Sequence, residues 1–262
     1  MAMSAGAAVI SARGLAKSYK GRGEPVPALV DVDFSVTEGE FVAVVGPSGC
    51  GKSTLLKIMA GLIDYSGGEA RFKDAPIAGP RREIGVVFQS PVLFPWRTVL
   101  DNVMLPAEVQ ALDRTSQERV ARDLLALVGL DGFEQRYPWE LSGGMQQRVA
   151  IVRALVNDPA ILLMDEPFGA LDAMTREMMN LELQRIWLER RKTVLFITHS
   201  IAEAVFLADR VLVMTPRPGR IMDVLEVDIA RPRALDVVNT PQFGTYARRI
   251  RSGLNAQEAM DG

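Results

Sequence analysis

The sequence predicts an α/β fold: a mostly parallel sheet with an antiparallel β section at the amino end and a helical insertion. Three observations support this prediction. From residue 158 to residue 230, short apolar strand patterns alternate with helical patterns, which is typical of a parallel sheet covered on both faces. Residues 9–45 have the character of β-strands, and residues 90–157 have the character of helices.

The composition is that of an ordinary globular protein. Of 262 residues, 48% are apolar and 24% are charged. The net charge of −2 disfavours nucleic acid as a partner, because nucleic-acid-binding surfaces are basic. One cysteine, Cys50, excludes an internal disulfide and fits a reducing cytoplasm. No apolar run approaches the ~18 residues of a membrane span, and the first six residues do not resemble a signal peptide, so we expect membrane association only through a partner.

The first half of the chain begins with β structure. We expect residues 1–12 to be loose at their very end, and four apolar residues then alternate with polar ones as in a half-buried strand: Val30, Val32, Phe34 and Val36. The next predicted elements are a strand at Phe41–Val45, a helix from Lys52 to about Gly61, a short β section punctuated by Gly67-Gly68 and Pro76 to Pro80, a strand at Ile84–Phe88 and a helix at Glu118–Val128 with Gly129 as its cap.

The second half alternates between helix and strand. In order we predict a helix at Met145–Val156 stopped by Pro159, a strand at Ile161–Met164, a helix at Asp172–Arg190, a strand at Thr193–Thr198, a helix at Ser200–Leu207 and strands at Val211–Met214 and Ile221–Val227. Ser200 and Glu203 have the spacing of a capping box at the start of their helix.

A Gly-rich loop joins the apolar strand at Phe41–Val45 to the helix at Lys52. The loop fits the pattern G-x-x-x-x-G-K-[ST], whose fixed positions are Gly46, Gly51, Lys52 and Ser53. Glycines allow backbone N–H groups to surround phosphate oxygens, and the helix start adds positive charge. Lys52 then reaches the outer phosphates, and the Ser53 hydroxyl is a ligand for Mg²⁺. An ordinary Gly-rich turn is the plainer alternative, but the full pattern in this context predicts a site for a nucleoside triphosphate.

Two carboxylates follow the strand at Ile161–Met164. Ligands gather at the carboxyl ends of parallel strands, so we expect Asp165 and Glu166 to face the phosphate loop. A carboxylate there is stabilised by a cation, and we assign Asp165 to Mg²⁺. Glu166 is placed to orient and deprotonate an attacking water. The alternative is that both merely cap the next segment.

Two further features fall at ends of elements. His199, the only histidine, follows the strand at Thr193–Thr198, where a contact with the terminal phosphate competes with a purely structural role. Ser142-Gly143-Gly144 precedes a helix and resembles a second anion site, although simple N-capping would look the same. One nucleotide cannot easily use two phosphate sites on separate parts of a chain, which suggests that two chains share each nucleotide.

With these motifs in hand, the sequence resembles the ATP-binding subunits of ABC transporters over nearly its whole length. The matching segments are the Walker A motif at Gly46–Thr54, Walker B at Ile161–Asp165 with the catalytic glutamate Glu166, the ABC signature at Leu141–Gln147, the Q-loop at Gln89, the D-loop at Ala170-Leu171-Asp172 and the switch histidine His199. Met145 stands where the strict signature has Gln, but the core that would touch phosphate is intact.

The resemblance implies the site residues and cofactors, ATP and Mg²⁺. It implies catalytic roles for Glu166, His199 and Gln89, and metal contacts for Ser53, Gln89 and Asp165. It implies nucleotide contacts for Tyr19, Gly46, Pro47, Ser48, Gly49, Cys50, Gly51, Lys52, Ser53, Thr54, Ser142, Gly143, Gly144 and Asp172. Tyr19 sits where the family's aromatic residue stacks on adenine, with packing in the β section as its alternative.

The resemblance also implies an organisation and partners. We expect one ABC ATPase domain: residues 1–89 and 158–230 as the nucleotide-binding core with its β subdomain, residues 90–157 as a helical subdomain and residues 231–262 as a tail. The expected partners are a second copy of the chain, transmembrane subunits and, indirectly, a solute-binding protein. The expected location is the cytoplasmic side of the membrane. Phe94 and Trp96 are candidate anchors for a membrane subunit, unless they pack inside the helical subdomain.

The tail resembles nitrate, sulfonate and taurine importers in Thr215–Arg220, Arg231-Pro232-Arg233 and Phe243 to Arg251. Its arginines are expected to form a solvated edge or else to contact a partner or anionic lipid. This resemblance implies a small solute of the nitrate, sulfonate or taurine type. A soluble ABC-type ATPase and a P-loop kinase remain as alternative functions.

Overall fold

The computed structural model describes residues 8–21 and 24–261. Residues 1–7, on which the signal-peptide expectation rests, lie outside this part of the chain. The strands are β1 Ala8–Tyr19, β2 Val26–Thr37, β3 Phe41–Val45, β4 Gly67–Phe72, β5 Ala75–Pro76, β6 Ile84–Val87, β7 Ile161–Asp165, β8 Thr193–Ile197, β9 Arg210–Met214 and β10 Ile221–Glu226. The α-helices are α1 Lys52–Met59, α2 Val99–Val109, α3 Arg114–Leu127, α4 Gly143–Leu155, α5 Ala173–Arg190, α6 Ile201–Leu207 and α7 Pro241–Asp261.

The strands form two sheets. An antiparallel sheet has the order β2-β1-β4-β5, and a larger sheet has the order β10-β9-β3-β8-β7-β6. In the larger sheet β3 is parallel to both β8 and β9, β8 to β7 and β7 to β6, and the edge strand β10 is antiparallel to β9. The predicted α/β class, with a mostly parallel sheet, an antiparallel β section and helices, is confirmed.

The larger sheet is buried on both faces. Every residue of β3 and of β8 is buried, as expected for central strands of a parallel sheet. Val42 and Val44 face one core, which includes α1 and the antiparallel sheet, whereas Ala43 and Val45 face a second core formed with the other helices. Since the carboxyl ends of β3, β7 and β8 lie at one edge, the loops after these strands are brought together there.

The helical insertion consists of α2, α3 and α4, which pack on one another. Each begins at a capping side chain: Thr98 accepts from the Asp101 N–H, Asp113 from the Ser116 N–H and Ser142 from the Met145 N–H. In the described residues, none of the helices is long and apolar enough to cross a membrane.

Two local expectations need correction. The capping box at Ser200 is half formed, because the Glu203 N–H reaches the Ser200 hydroxyl while the Glu203 carboxylate bonds Thr198 instead.

The second correction concerns Arg233, one of the tail arginines that we expected at a solvated edge. Arg233 is only 2% exposed, and its guanidinium donates to the backbone carbonyls of Val205, Phe206 and Ala208 at the end of α6. A cation is favourable at a helix carboxyl end. The tail also contains the long helix α7, which buries Phe243 and Ile250 in the main core. The tail therefore packs against the core. The expectation of a solvated edge is wrong for Arg233 and agrees with the exposure of Arg248, Arg249 and Arg251.

Candidate nucleotide site

The loop from β3 to α1 has the backbone that a phosphate cradle needs. Gly51 has φ +111°, and a Cβ at this position would lie 2.8 Å from the Ala28 carbonyl oxygen. At Gly46 a Cβ would approach the Cys50 sulfur to 2.9 Å. Only glycine fits either position. Within the described residues no side chain caps α1, so its first N–H groups are free for an anion.

The remaining loop residues differ in exposure. Ser48 and Gly49 are exposed at the tip, Pro47 is half-buried, and Cys50 is buried beneath them. Burial raises the pKa of the Cys50 thiol, despite the opposing charge of Lys52. Cys50 thus lies in the loop as a neutral, small side chain.

Lys52 lies under this loop and is 5% exposed. Its ammonium donates to the carbonyl oxygens of Gly46 at 2.9 Å and Pro47 at 3.0 Å, and it lies 3.9 Å from Glu166 Oε1. A buried ammonium surrounded by acceptors requires such partners. Lys52 is thereby held where the loop, the helix start and the carboxylates meet.

Asp165 and Ser53 form the candidate metal pair. The Ser53 hydroxyl donates to Asp165 Oδ1 at 3.0 Å. Burial raises the pKa of Asp165, the Ser53 hydrogen bond opposes this rise, and the neighbouring Glu166 adds to it. A cation at this carboxylate would relieve its desolvation. Mg²⁺ commonly takes one or two carboxylates and completes its shell with phosphates and waters, so a hydroxyl and a carboxylate fit it.

Glu166 and His199 are in direct contact. His199 Nδ1 lies 2.9 Å from Glu166 Oε2. A carboxylate oxygen accepts hydrogen bonds, so this contact fits a His199 tautomer with the proton on Nδ1. Glu166 has φ +44°, a left-handed conformation that is costly for a side chain of this type, and strain of this kind concentrates at functional sites. The expectation that the two carboxylates face the phosphate loop is confirmed by the Lys52 and Ser53 contacts.

Gln89 and Tyr19 lie at the margins of the same cluster. A Cβ at Gly169 would be 3.5 Å from Gln89 Nε2 and 3.6 Å from Glu166 Oε2, so the two side chains flank that glycine. The Tyr19 hydroxyl is 3.2 Å from Thr54 Oγ1. The Tyr19 ring is 41% exposed, which contradicts the alternative that it is plain β packing.

A second cluster surrounds the start of α4. A Cβ at Gly144 would lie 2.9 Å from Thr175 Cγ2, and one at Gly143 would lie 3.9 Å from Leu171 Cδ2. Asp172 caps α5 beside them, where it accepts from the N–H and the hydroxyl of Thr175 at 3.0 and 2.7 Å. These hydrogen bonds, the hydroxyl first, lower the pKa of Asp172. Ser142 and Gly143 are exposed.

The structure therefore sorts the predicted site residues into two groups. The phosphate-loop cluster comprises Tyr19, Gln89, Asp165, Glu166, His199 and the loop Gly46–Thr54. The signature cluster comprises Ser142, Gly143, Gly144 and Asp172. No described contact joins a residue of one group directly to a residue of the other.

Sequence reasoning missed two residues beside these clusters. Arg176 donates to the carbonyl oxygens of Phe168 and Leu171, and it lies 3.5 Å from the carboxylate of the buried Glu203. Glu203 was noticed only as part of a capping box. The sequence feature that could have identified Glu203 is its position in the first turn of the helix that follows His199.

A large cleft in the described part of the chain lies elsewhere. It has a volume of about 600 Å³ and lies between the antiparallel sheet and the starts of β7 and β8, with Arg13, Arg71, Lys73, Arg191 and Lys192 in its lining. Ligands of parallel sheets bind at the opposite, carboxyl ends. We assign the site by its chemistry, which is concentrated at the phosphate loop.

The chain is similar in sequence to proteins of one known family. The family model described as ABC transporter matches residues 29–169. An uncharacterised ABC transporter ATP-binding protein of Methanocaldococcus jannaschii is 49% identical over 236 residues, which cover 90% of this chain and 87% of that protein. The taurine import ATP-binding protein TauB of Rhizobium johnstonii is 46% identical over 243 residues, covering 91% and 93%.

Solved structures agree. A dimeric ATP-binding cassette in a post-hydrolysis state, bound to ADP and Pi, has a TM-score of 0.74 at 34% identity, covering 84% of this chain and all of that one. CbiO1 of Clostridium perfringens, part of an ABC transporter complex, has a TM-score of 0.76 at 27% identity, covering 92% and 99%. This chain belongs to the ABC transporter family as an ATP-binding cassette, and it is an ATPase.

Proposed function

We propose that this ATPase is the energy-coupling subunit of an importer, working on the cytoplasmic side of a membrane as one of two copies arranged head to tail. The observation that carries the proposal is the separation of the two clusters. The phosphate-loop cluster holds an ammonium and two carboxylates, and the signature cluster offers a second helix start at which Ser142 and Gly143 are exposed. A second copy would bring its own signature cluster to the first copy's phosphate loop. The dimeric cassette structure among the neighbours supports this arrangement.

We assign roles to the residues of one complete site as follows. Lys52 and the N–H groups of α1 hold the phosphates, while Tyr19 lies at the margin to stack on the base. Ser53 and Asp165, with Gln89 at the edge, would hold Mg²⁺, which supplies charge neutralisation on the phosphates when it is bound. Ser142, Gly143 and Gly144 of the second copy complete the cradle.

Glu166 is the proposed base for the attacking water. It contacts Lys52 on one carboxylate oxygen and His199 on the other, so its orientation is fixed from two sides. His199 keeps Glu166 in place through Nδ1 and presents Nε2 outward, toward the position of the terminal phosphate. Asp172 lies at the edge of the copy-to-copy contact. Loss of the terminal phosphate removes the group that both copies bind, and the dimer opens.

The surface proposed to contact the membrane subunits is the loop that precedes α2. Trp96 is 70% exposed, so the alternative that it packs inside the helical insertion is wrong for this residue, and its ring lies 5.1 Å from that of Phe94. Buried Asn102 fixes the loop, because its amide binds the backbone of Phe94 and the carbonyls of Arg97 and Thr98. An exposed tryptophan on a rigid loop is typical of an interface anchor.

The proposed cargo is a small sulfonate of the taurine type. The relatives named as taurine import proteins support it, together with the tail resemblance. The organisation follows: residues 1–89 and 158–230 serve as catalytic core, residues 90–157 as signature and coupling subdomain, and residues 231–262 as a tail. The relatives do not favour the kinase alternative.

The dimer is tested with the hydrolysis-deficient variant Glu166→Gln. We expect the full chain to be monomeric without nucleotide and dimeric with saturating Mg-ATP, as measured by light scattering. A chain that stays monomeric with Mg-ATP, alone and with its membrane subunits, would overturn the proposal.

The coupling surface is tested separately with Trp96→Ala. This variant should keep its affinity for ATP. Its affinity for the membrane subunits, measured by co-purification, should fall about 30-fold, which is the effect of losing one hot-spot residue. Val109→Ala, at another exposed apolar position of the insertion, is the control. Full co-purification of the Trp96 variant would exclude the assignment.

A further inference from the structure

Glu203 is a buried acid outside the machinery described so far. It lies in α6, four residues after His199, and is 5% exposed. Its Oε2 accepts a 2.5 Å hydrogen bond from the Thr198 hydroxyl, and that hydroxyl in turn accepts from the Ser200 N–H. Burial raises the pKa of Glu203, while Thr198, Arg176 and His199 oppose the rise. The carboxylate thus binds the Thr198 hydroxyl, and this hydroxyl binds the Ser200 N–H, so the residues on both sides of His199 are linked to Glu203.

Arg176 holds the other side of the same carboxylate. Its Nε lies 3.5 Å from Glu203 Oε1 and also donates to the Phe168 carbonyl at 3.3 Å. A second guanidinium nitrogen donates to the Leu171 carbonyl at 2.8 Å. Phe168 and Leu171 lie in the loop between Glu166 and Asp172. The guanidinium is therefore bonded to the backbone that carries the D-loop.

These contacts form one continuous path between the clusters. It runs from His199 through Thr198 and Glu203 to Arg176, and then to the loop that ends at Asp172. Asp172 binds Thr175, which lies against Gly144 of the signature cluster. We propose that Glu203 and Arg176 are positioning residues that lock the His199 loop and the Asp172 loop together, so that closure of the signature cluster on a second copy sets the geometry of hydrolysis. This inference rests on the proposed roles of Glu166 and His199.

The network has the chemistry of a coupling element. A guanidinium has several donors in a fixed plane, and here it joins one carboxylate to two carbonyls, so a shift of the loop displaces the carboxylate. Glu203 is buried and Arg176 is half-buried, so removing either side chain leaves the charge of the other without its ion-pair partner. If the two residues act by positioning, their loss should weaken stabilisation of the transition state and leave the binding of ATP unchanged.

The test measures ATP hydrolysis and nucleotide affinity for the full chain in three variants: Glu203→Gln, Arg176→Gln and the double variant. We expect each single change to lower kcat and kcat/KM equally by about tenfold, with affinity for ATP within about twofold of wild type. The double variant should cost no more than either single one, because the two side chains act as a unit. Glu118→Gln, which breaks the exposed ion pair with Arg122, is the matched control and should keep wild-type kcat.

Other results would contradict a coupling role for Glu203 and Arg176. A lower melting temperature with unchanged kcat per bound nucleotide would reduce the pair to a structural role, and a double variant that loses about a hundredfold would show two independent effects. If Glu203→Gln does not fold, the test relies on Arg176→Gln, because the Arg176 side chain is only half-buried. A wild-type kcat in Arg176→Gln would then overturn the inference. Glu166→Gln, run in parallel, separates the two proposals: its full activity would contradict the proposed function, whereas its inactivity beside active Glu203 and Arg176 variants would contradict only the coupling.

Discussion

The starts of helices α1 and α4 offer the same backbone groups but have different surroundings. At α1 the cap is Gly51, without a side-chain bond, and Lys52, Asp165, Glu166 and His199 converge near it. At α4 the cap is Ser142, whose hydroxyl already accepts from the Met145 N–H at 3.3 Å. One start therefore combines phosphate binding with acid–base groups. The other offers a hydroxyl and N–H groups, and the carboxylate near it, Asp172, already accepts two hydrogen bonds from Thr175.

This difference indicates a division of labour. Free N–H groups and an ammonium bind phosphate strongly, and a strained, hydrogen-bonded glutamate beside them can act on water. The signature start can add binding to phosphate, while its carboxylate, Asp172, is occupied by the Thr175 N–H and hydroxyl. The following experiments test whether the two helix starts differ in this way.

The largest effect is expected at Glu166. Glu166→Gln keeps the shape and removes the proton acceptor, so kcat should fall by about 10²–10⁴-fold while ATP still binds. Phosphate release from ATP measures it, with Glu118→Gln as the control. Undiminished turnover would place the base elsewhere and erase the chemical distinction between the two helix starts.

Lys52 should have the next largest effect. Loss of a charge-assisted contact to phosphate in Lys52→Ala is expected to lower ATP affinity by about 10- to 100-fold, measured by calorimetry. Lys73→Ala, at an exposed position of the antiparallel sheet, should bind like wild type. Equal affinity in the Lys52 variant would remove the ammonium from the phosphate site.

Ser142 should act on the dimer and not on the monomer. In the Glu166→Gln background, Ser142→Ala should weaken Mg-ATP-dependent dimerisation about 3- to 10-fold and leave monomer affinity for ATP unchanged. Thr98→Ala removes a comparable helix cap without touching phosphate and is the control for helix loss. A change in monomer affinity at Ser142 would mean that both helix starts serve one chain.

The smallest effect is a pH dependence of stability. The folded-state pKa of Asp165 is raised by burial, so the folded chain holds this proton at a pH where the unfolded chain has released it. Stability should therefore fall as pH rises from the usual Asp pKa of about 3.9 through the folded value. Asp165→Asn should lose this part of the slope in urea titrations, and the exposed Asp131→Asn should keep it.

Much of the fold was predictable because the local patterns are strong. The strand–loop–helix at residues 41–59, the strand at β7 and the pairing of Asp165 with Ser53 follow from periodicity and the ends of parallel strands. Helix α7 was missed, since Gly244 and polar residues dilute its apolar face. The burial of Arg233 and the Glu203–Arg176 pair were missed for another reason: both depend on contacts between segments 25 or more residues apart, which no local pattern records.

The buried position of Arg233 has a practical consequence for truncating this protein. Ending an expressed chain at residue 230 would withdraw the guanidinium from the last turn of α6 and strip the cover that Phe243 and Ile250 provide. The shortened product should accumulate as insoluble material, and its inactivity would then report a broken scaffold and say nothing about regulation.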